Sequence, residues 1–257
     1  MLETVLDSHS QIAGTGEDSI FNDMLNEIRN DIVKASTNQS SESIQAVVQK
    51  HAKRVNKLTR ERWIGIERNM RPKTAKVHGI QVPKRFVDKM LTNYYNVGFI
   101  HLLFPNALIL HVIRDPMDTL FSAYKHDFPP GNLDYTSDFT SLAHMYTNYR
   151  NIMDHWDRVL PGRVTHTRYE DMVDNMPSMA HAIISATGLS WEDDVLNFHK
   201  KKQAVNTLSS GQVRKGVYKD SLQSWKRYQH YLQPLVDMMG PYVQHEFETT
   251  LEGFQSK

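Results

Sequence analysis

An arginine at the end of an apolar run is the first feature of this 257-residue sequence with chemical consequence. In Leu108-Ile-Leu-His-Val-Ile-Arg114-Asp-Pro-Met-Asp-Thr-Leu-Phe-Ser122-Ala-Tyr124, the run reads as a buried strand, and Asp115-Pro116 opens a helix directly after it. Asp is a strong N-cap, and Pro suits the first helical position. Arg114 is therefore expected at a strand tip beside a helix N-terminus. Backbone N–H groups and the helix dipole favour anions there, and a guanidinium offers a fixed cationic fork to a phosphate. Ser122, two turns into the helix, adds a hydroxyl donor. Taken separately, the two halves also read as an Arg–carboxylate pair and an incidental serine.

The elements that must position these residues alternate in type. Helices are expected over 18–34 and 42–69, with apolar residues such as Ile20, Phe21, Leu25, Ile28 and Ile32 at helical spacing. A polar linker over 36–41 joins them. A short strand follows over 84–88, then a helix over 93–104 and a two-sided buried strand over 107–113. Next come a long helix over 138–158, a strand over 164–169 and a helix over 170–187 closed by Gly188. A short helix over 191–199, a loop over 207–220 and a last helix over 221–238 complete the chain. Such alternation predicts parallel βαβ units in a single doubly wound sheet. Ligands in such sheets lie at the carboxyl ends of the strands, which directs attention to Asp88-Lys89, Arg114-Asp115 and Arg168-Tyr169-Glu170.

Composition narrows the chemistry. Hydrophobic residues make up 40% and charged residues 23%, an ordinary globular balance, and a net charge of +1 argues against a nucleic-acid partner. The chain has no cysteine, which excludes disulfides, thiolate nucleophiles and Cys-ligated metals. Its histidines have no His-Glu-x-x-His or comparable spacing, so no metal is expected. There is no Gly-x4-Gly-Lys-Ser/Thr loop. No apolar run of membrane-spanning length occurs, so no membrane segment is expected in this chain. Basic residues concentrate locally: residues 51–90 carry twelve Lys or Arg against three acids, and residues 199–227 carry eight against one. Local anion binding and solvated helix faces both accommodate that pattern.

Order and spacing of several blocks carry a resemblance. The blocks are Leu6-Asp-Ser-His9 through Gly16-Glu17, Phe86-Val-Asp-Lys89-Met, Leu103-Phe-Pro-Asn-Ala and the Arg114-Asp-Pro…Ser122 segment. Further on come His155-Trp156, Val159-Leu-Pro161, Arg168-Tyr-Glu-Asp171, Gly188-Leu189, and Ser209-Ser-Gly-Gln-Val-Arg214 with Trp225. Together they resemble the sulfotransferases that use 3′-phosphoadenosine 5′-phosphosulfate (PAPS), in the branch with protein-tyrosine and tetratricopeptide-linked sulfotransferases. The resemblance implies an α/β fold with a P-loop-NTPase-like central parallel sheet flanked by helices. It also implies in-line transfer of a sulfuryl group from PAPS to an acceptor hydroxyl. On the matching positions Glu17 is the base, with His9 as its competitor, and Lys89 and Ser209 stand near the bridging oxygen of the leaving phosphate. Arg114 and Ser122 hold the 3′-phosphate, Tyr169 lies near the adenosine, and the loop with Arg214 and Lys215 covers the nucleotide. The acceptor hydroxyl belongs to a glycan, a peptide or a small molecule. Ser19 stands where tyrosine-specific relatives carry arginine, which weighs against a peptide. A non-catalytic adenosine-3′,5′-bisphosphate-binding module and a P-loop kinase-like phosphotransferase are the alternatives.

The resemblance departs at its start. Such sulfotransferases carry a strand and a Gly-x-Pro-Arg-Ser-Gly-Thr-Thr type of loop for the 5′-phosphosulfate, directly before the segment matching 2–7. No such sequence occurs here, and Met1 falls at the loop's far end. The expectation is a single sulfotransferase domain over 1–257, truncated at the N-terminus, poorly stable and nearly inactive as it stands. A cytoplasmic location is the default, with the Golgi lumen for a form carrying an anchor upstream.

Overall fold

A computed structural model of the chain describes residues 1–17, 20–37, 42–70, 83–129, 131, 133–200 and 222–243. The chain divides into two compact units, residues 1–108 with 187–203 and residues 109–186 with 204–257.

The first unit opens with α1 (Leu2–Asp7), which has no side-chain cap and buries Val5, Leu6 and Asp7. Next comes β1 (Ile12–Gly16), pairing in parallel with β2 (Arg85–Asp88). The register runs from Ile12 against Arg85 to Gly16 against Asp88, with an irregularity between Gly14 and Gly16. The sequence reading anticipated β2 but missed β1. Two glycines in five residues lower strand propensity, and the short run shows no alternation. A close approach explains one glycine: a Cβ at Gly14 would lie 3.1 Å from Glu3 Oε1 and 3.3 Å from the Asp7 Cβ. Helices α2 (Ile20–Ser36) and α3 (Ile44–Met70) follow the expected bounds closely. Leu25, Ile28, Val55 and Leu103, the last from α4 (Val97–Leu103), form this unit's core cluster. Each such buried side chain contributes about 2 kcal/mol. Between α2 and α3, the buried His51 bonds Asp31 at 2.8 Å.

In the second unit, β3 (Ile109–Ile113) and β4 (Val164–Arg168) pair in parallel, Ile109 against Val164 through Ile113 against Arg168. Helix α5 (Pro116–Tyr124) is capped as its sequence predicts: Asp115 Oδ1 accepts the Asp118 N–H at 2.7 Å. Asp138 caps α6 (Phe139–Val159) in the same way. The stretch expected as one helix over 170–187 is two, α7 (Tyr169–Asp174) and α8 (Met176–Ala186). Pro177 has no N–H for the preceding turn and pushes the chain before it out of helical geometry, so the break falls at Asn175. Gly188 ends the segment at φ 74°, the left-handed conformation that glycine tolerates. A 3₁₀ turn over Ser224–Tyr228 leads into α9 (Gln229–Met238). Met117, Leu142, Trp225, Leu235 and Met239 centre this unit's core.

Parallel strands flanked by helices are present as expected. Among the described residues, however, the strands form two two-stranded sheets, β1–β2 and β3–β4, in place of one. β3 is also less buried than its apolar run implies, with Val112 40% exposed. An apolar pattern predicts that a strand is covered; it does not say by which neighbour. The segment over 191–199 is a 3₁₀ helix, Asp193–Lys200.

Candidate active site

The register of β1 on β2 sets the first cluster. Because Gly16 opposes Asp88, the next residues, Glu17 and Lys89, emerge side by side at the carboxyl ends of paired parallel strands. The Lys89 N–H donates to the Gly16 carbonyl at 3.0 Å, and the Lys89 ammonium bonds the Glu17 carboxylate. Both side chains reach solvent, Lys89 at 42% and Glu17 at 49% exposure. Gly16 has φ 72°, so the chain turns out of the strand at the residue before Glu17. Two carboxylates of α1 hold the outer edge of β1: Glu3 Oε1 accepts the Gly16 N–H and Asp7 Oδ1 the Gly14 N–H, each at 2.7 Å. Burial raises the Glu3 carboxyl above its ordinary range, against the lowering effects of the Gly16 N–H and Lys89. His9 is a structural residue. It is fully buried, its Nδ1 accepts the Gln11 N–H at 3.0 Å, and its Nε2 donates to the Ser190 carbonyl at 2.8 Å. Glu192 lies 3.6 Å from the same Nδ1, but the backbone N–H already occupies that lone pair.

The second cluster sits at the tips of β3 and β4. Arg114 follows the last residue of β3, and its guanidinium carbon lies 5.0 Å from the centre of the Tyr169 ring, a cation–π contact. Tyr169 begins α7 directly after β4. Two carboxylates occupy the N-terminus of α5: Asp115 as its cap, and Glu170, whose Oε1 accepts the Asp115 N–H at 2.9 Å. Burial, helped by Asp118 and Glu170, raises the Asp115 carboxyl, while the Asp118 N–H and Arg114 oppose the rise. Ser122 lies on α5, partly buried, and its carbonyl accepts from His126 Nδ1 at 2.6 Å. Ser209, Arg214 and Lys215 lie outside the described residues.

Both clusters fall within the stretch of chain that similarity picks out. The model of the Sulfotransferase family matches residues 1–193. This chain belongs to the sulfotransferase family. An uncharacterized protein of Aquifex aeolicus (strain VF5) is 33% identical over 175 residues, 67% of this chain and 23% of that protein. The chain thus spans less than a quarter of that relative's length. The family match includes Glu17, Lys89, Arg114, Ser122 and Tyr169, and it ends before Ser209.

Three features of this sulfotransferase-family chain escaped the sequence reading. The first is the Glu3 and Asp7 pair, whose only signal was the i, i+4 spacing that puts both on one face of α1. The second is Asp118, 1% exposed, whose carboxylate accepts from the Gln223 N–H at 2.5 Å, the Ser224 hydroxyl at 3.2 Å and the Trp225 N–H at 3.3 Å. The third crosses β3 and β4: His111 and His166 meet through their Nδ1 atoms at 2.8 Å. His111 Nε2 bonds the Tyr149 hydroxyl, and His166 Nε2 donates to Asp157 at 2.9 Å. Burial, then His166 and Arg150, lower the His111 pKa to about 3. With one proton on each ring the chain runs one way: Tyr149 donates to His111, His111 to His166, and His166 to Asp157. Among the described residues no three His, Asp or Glu side chains are grouped as a metal would require, and no helix is long and apolar enough to cross a membrane.

Proposed function

We propose that this chain transfers a sulfuryl group from PAPS to an acceptor hydroxyl by in-line displacement. The observation that carries the reading is the meeting of Glu17 and Lys89, 72 residues apart in sequence, at adjacent strand ends. PAPS, when bound, supplies the sulfuryl group. Glu17 takes the acceptor's proton as the acceptor oxygen bonds to sulfur. Lys89 offsets the negative charge that the bridging phosphate oxygen gains as its bond to sulfur breaks and the electron pair stays with the phosphate. An ion pair this exposed is worth no more than about 1 kcal/mol, so substrates can separate the two side chains at little cost. Arg114 and Ser122 hold the 3′-phosphate, and the Tyr169 ring offers a flat face toward the adenosine. The donor set suits that ligand: a guanidinium backed by an aromatic ring, with the nearby Asp115 and Glu170 carboxylates already tied to backbone N–H groups. Ser209, Arg214 and Lys215 complete the nucleotide contacts on this reading. The acceptor is a hydroxyl of a glycan, a peptide or a small molecule.

Calorimetric titration of adenosine 3′,5′-bisphosphate into the wild-type chain and Arg114→Ala tests the assignment. The expected result is binding to wild type that weakens on the order of tenfold or more in the variant, as for the loss of a charge-assisted hydrogen bond. A folded wild type that does not bind, or a variant that binds equally well, overturns the nucleotide site.

A further inference from the structure

We propose that Glu3 is a positioning residue for Glu17, holding the end of β1 at Gly16, the residue before the base; this rests on the sulfotransfer reading above. Three contacts and a turn of the backbone converge on Gly16 and Glu17. The Gly16 N–H donates to Glu3 Oε1 at 2.7 Å, and the Gly16 carbonyl accepts the Lys89 N–H at 3.0 Å. Gly16 takes a positive φ of 72°, and the Glu17 carboxylate ends on the Lys89 ammonium. The two peptide units that flank Gly16 are therefore each held, the one before it by α1 through Glu3 and the one after it, which leads into Glu17, by the Lys89 N–H at the end of β2.

The contact with α1 takes the place of a strand. On one edge β1 pairs with β2; on the other, the N–H groups of Gly14 and Gly16 point at the carboxylates of Asp7 and Glu3. Their i, i+4 spacing rises about 6 Å along the helix, close to the roughly 6.6 Å between alternate residues of a strand. The helix must lie close to the strand for this, and Gly14 permits it: a Cβ there would sit 3.1 Å from Glu3 Oε1. Glu3 bonds the backbone of Gly16, one residue before Glu17. It sets where the backbone leaves the strand, and a displacement of about 1 Å at a reacting group can cost on the order of a hundredfold in rate.

The test uses the full-length protein with Glu3→Leu, Glu3→Gln and Glu17→Gln, and PAPS as substrate with water as acceptor. Glu3→Leu removes the acceptor of the Gly16 N–H, and kcat is expected to fall about ten- to a hundredfold with KM for PAPS within about twofold of wild type. Glu3→Gln keeps an acceptor oxygen and is expected to restore kcat to within about threefold of wild type, since a neutral hydrogen bond remains. A spectroscopic reading accompanies the kinetics. Labelling Thr at its carbonyl carbon and Gly at nitrogen selects Thr-Gly peptides, which in this chain are Thr15-Gly16 and Thr187-Gly188. The Gly16 amide is expected to titrate with the Glu3 carboxyl, above the ordinary glutamate range, in wild type and not in Glu3→Gln.

Wild-type kcat in a folded Glu3→Leu protein overturns the positioning role. Should Glu3→Leu fail to fold, Glu3→Ala takes its place in the kinetic comparison with the same expected fall in kcat, and a Gly16 amide that still titrates as in wild type in Glu3→Gln overturns the contact. A wild type that turns over no PAPS, indistinguishable from Glu17→Gln, removes the sulfotransfer reading itself. An active wild type indifferent to Glu3 removes only the inference about Glu3.

Discussion

At the scale of single residues, the assignment separates into groups that touch reacting atoms and groups that hold them. Glu17 and Lys89 belong to the first class on the proposed reading, and their substitutions should differ in kind. Glu17→Gln keeps size and hydrogen bonding but cannot accept a proton, so kcat is expected to fall about a hundred- to ten-thousandfold. Lys89→Met removes a charge that acts as negative charge grows on the leaving phosphate, and about a hundred- to a thousandfold in kcat is expected. Both variants should leave KM for PAPS within a few-fold of wild type. Steady-state PAPS turnover by the full-length protein measures both, and a large KM effect at constant kcat would reassign Lys89 to ground-state binding. The type and strand-end place of Lys89 and Arg114 were legible in the sequence. The roles of Glu3 and Asp7 were not, because the groups they bond are backbone N–H groups of a strand with no apolar signature of its own.

The elements show which cross-connections the chain depends on. Asp118 sits in the first turn of α5, four residues after Arg114, and accepts three hydrogen bonds from the turn at Gln223 to Trp225. That turn opens with Gln223 at φ 54°, an uncommon conformation for a non-glycine residue, which the carboxylate helps to hold. Asp118→Ala would leave the buried Trp225 N–H and the part-buried Gln223 N–H without this acceptor, and a loss of about 1–3 kcal/mol is expected. Urea unfolding should show a lower midpoint at unchanged slope; a shift under 0.5 kcal/mol, the ordinary range for a surface substitution, would mean that the turn holds itself. Element types and one cap could be read in advance: Asp115 caps as its sequence states, and β2, β4 and α6 fall within a residue or two of expectation. The division at Asn175 follows from Pro177, whose lack of an N–H bears on the turn before it.

For the whole molecule the consequence is a pH dependence of stability. His111 is buried across β3 and β4 and faces His166, Tyr149 and, through them, Asp157 and Arg150. Its folded pKa of about 3 lies well below the ordinary histidine value of 6.5. Between those values the unfolded chain binds a proton at this position that the folded chain does not, so stability rises with pH across that window and is lost on acidification. One such proton corresponds to about 1.4 kcal/mol per pH unit. Glu3 and Asp115 work the other way: their raised pKa values mean that the folded chain holds protons longer, and stability falls as pH rises through their raised values. The expected net result is that His111→Phe flattens the slope of unfolding free energy against pH between about 4 and 6 by up to one proton. Urea titrations at several pH values measure this, and an unchanged slope would show that His111 is protonated in the folded chain.

By itself the sequence determined the class of fold, the family and the residue types available at the strand ends, because caps, breakers and apolar runs act over a few residues. Tertiary structure alone decided which strands pair and in which register, and so that Glu17 meets Lys89. It also decided that α1 carboxylates close the edge of β1 and that two histidines align across β3 and β4. Those outcomes depend on backbone groups far apart in the chain finding partners, and a backbone N–H or carbonyl carries no residue identity from which the match could be read.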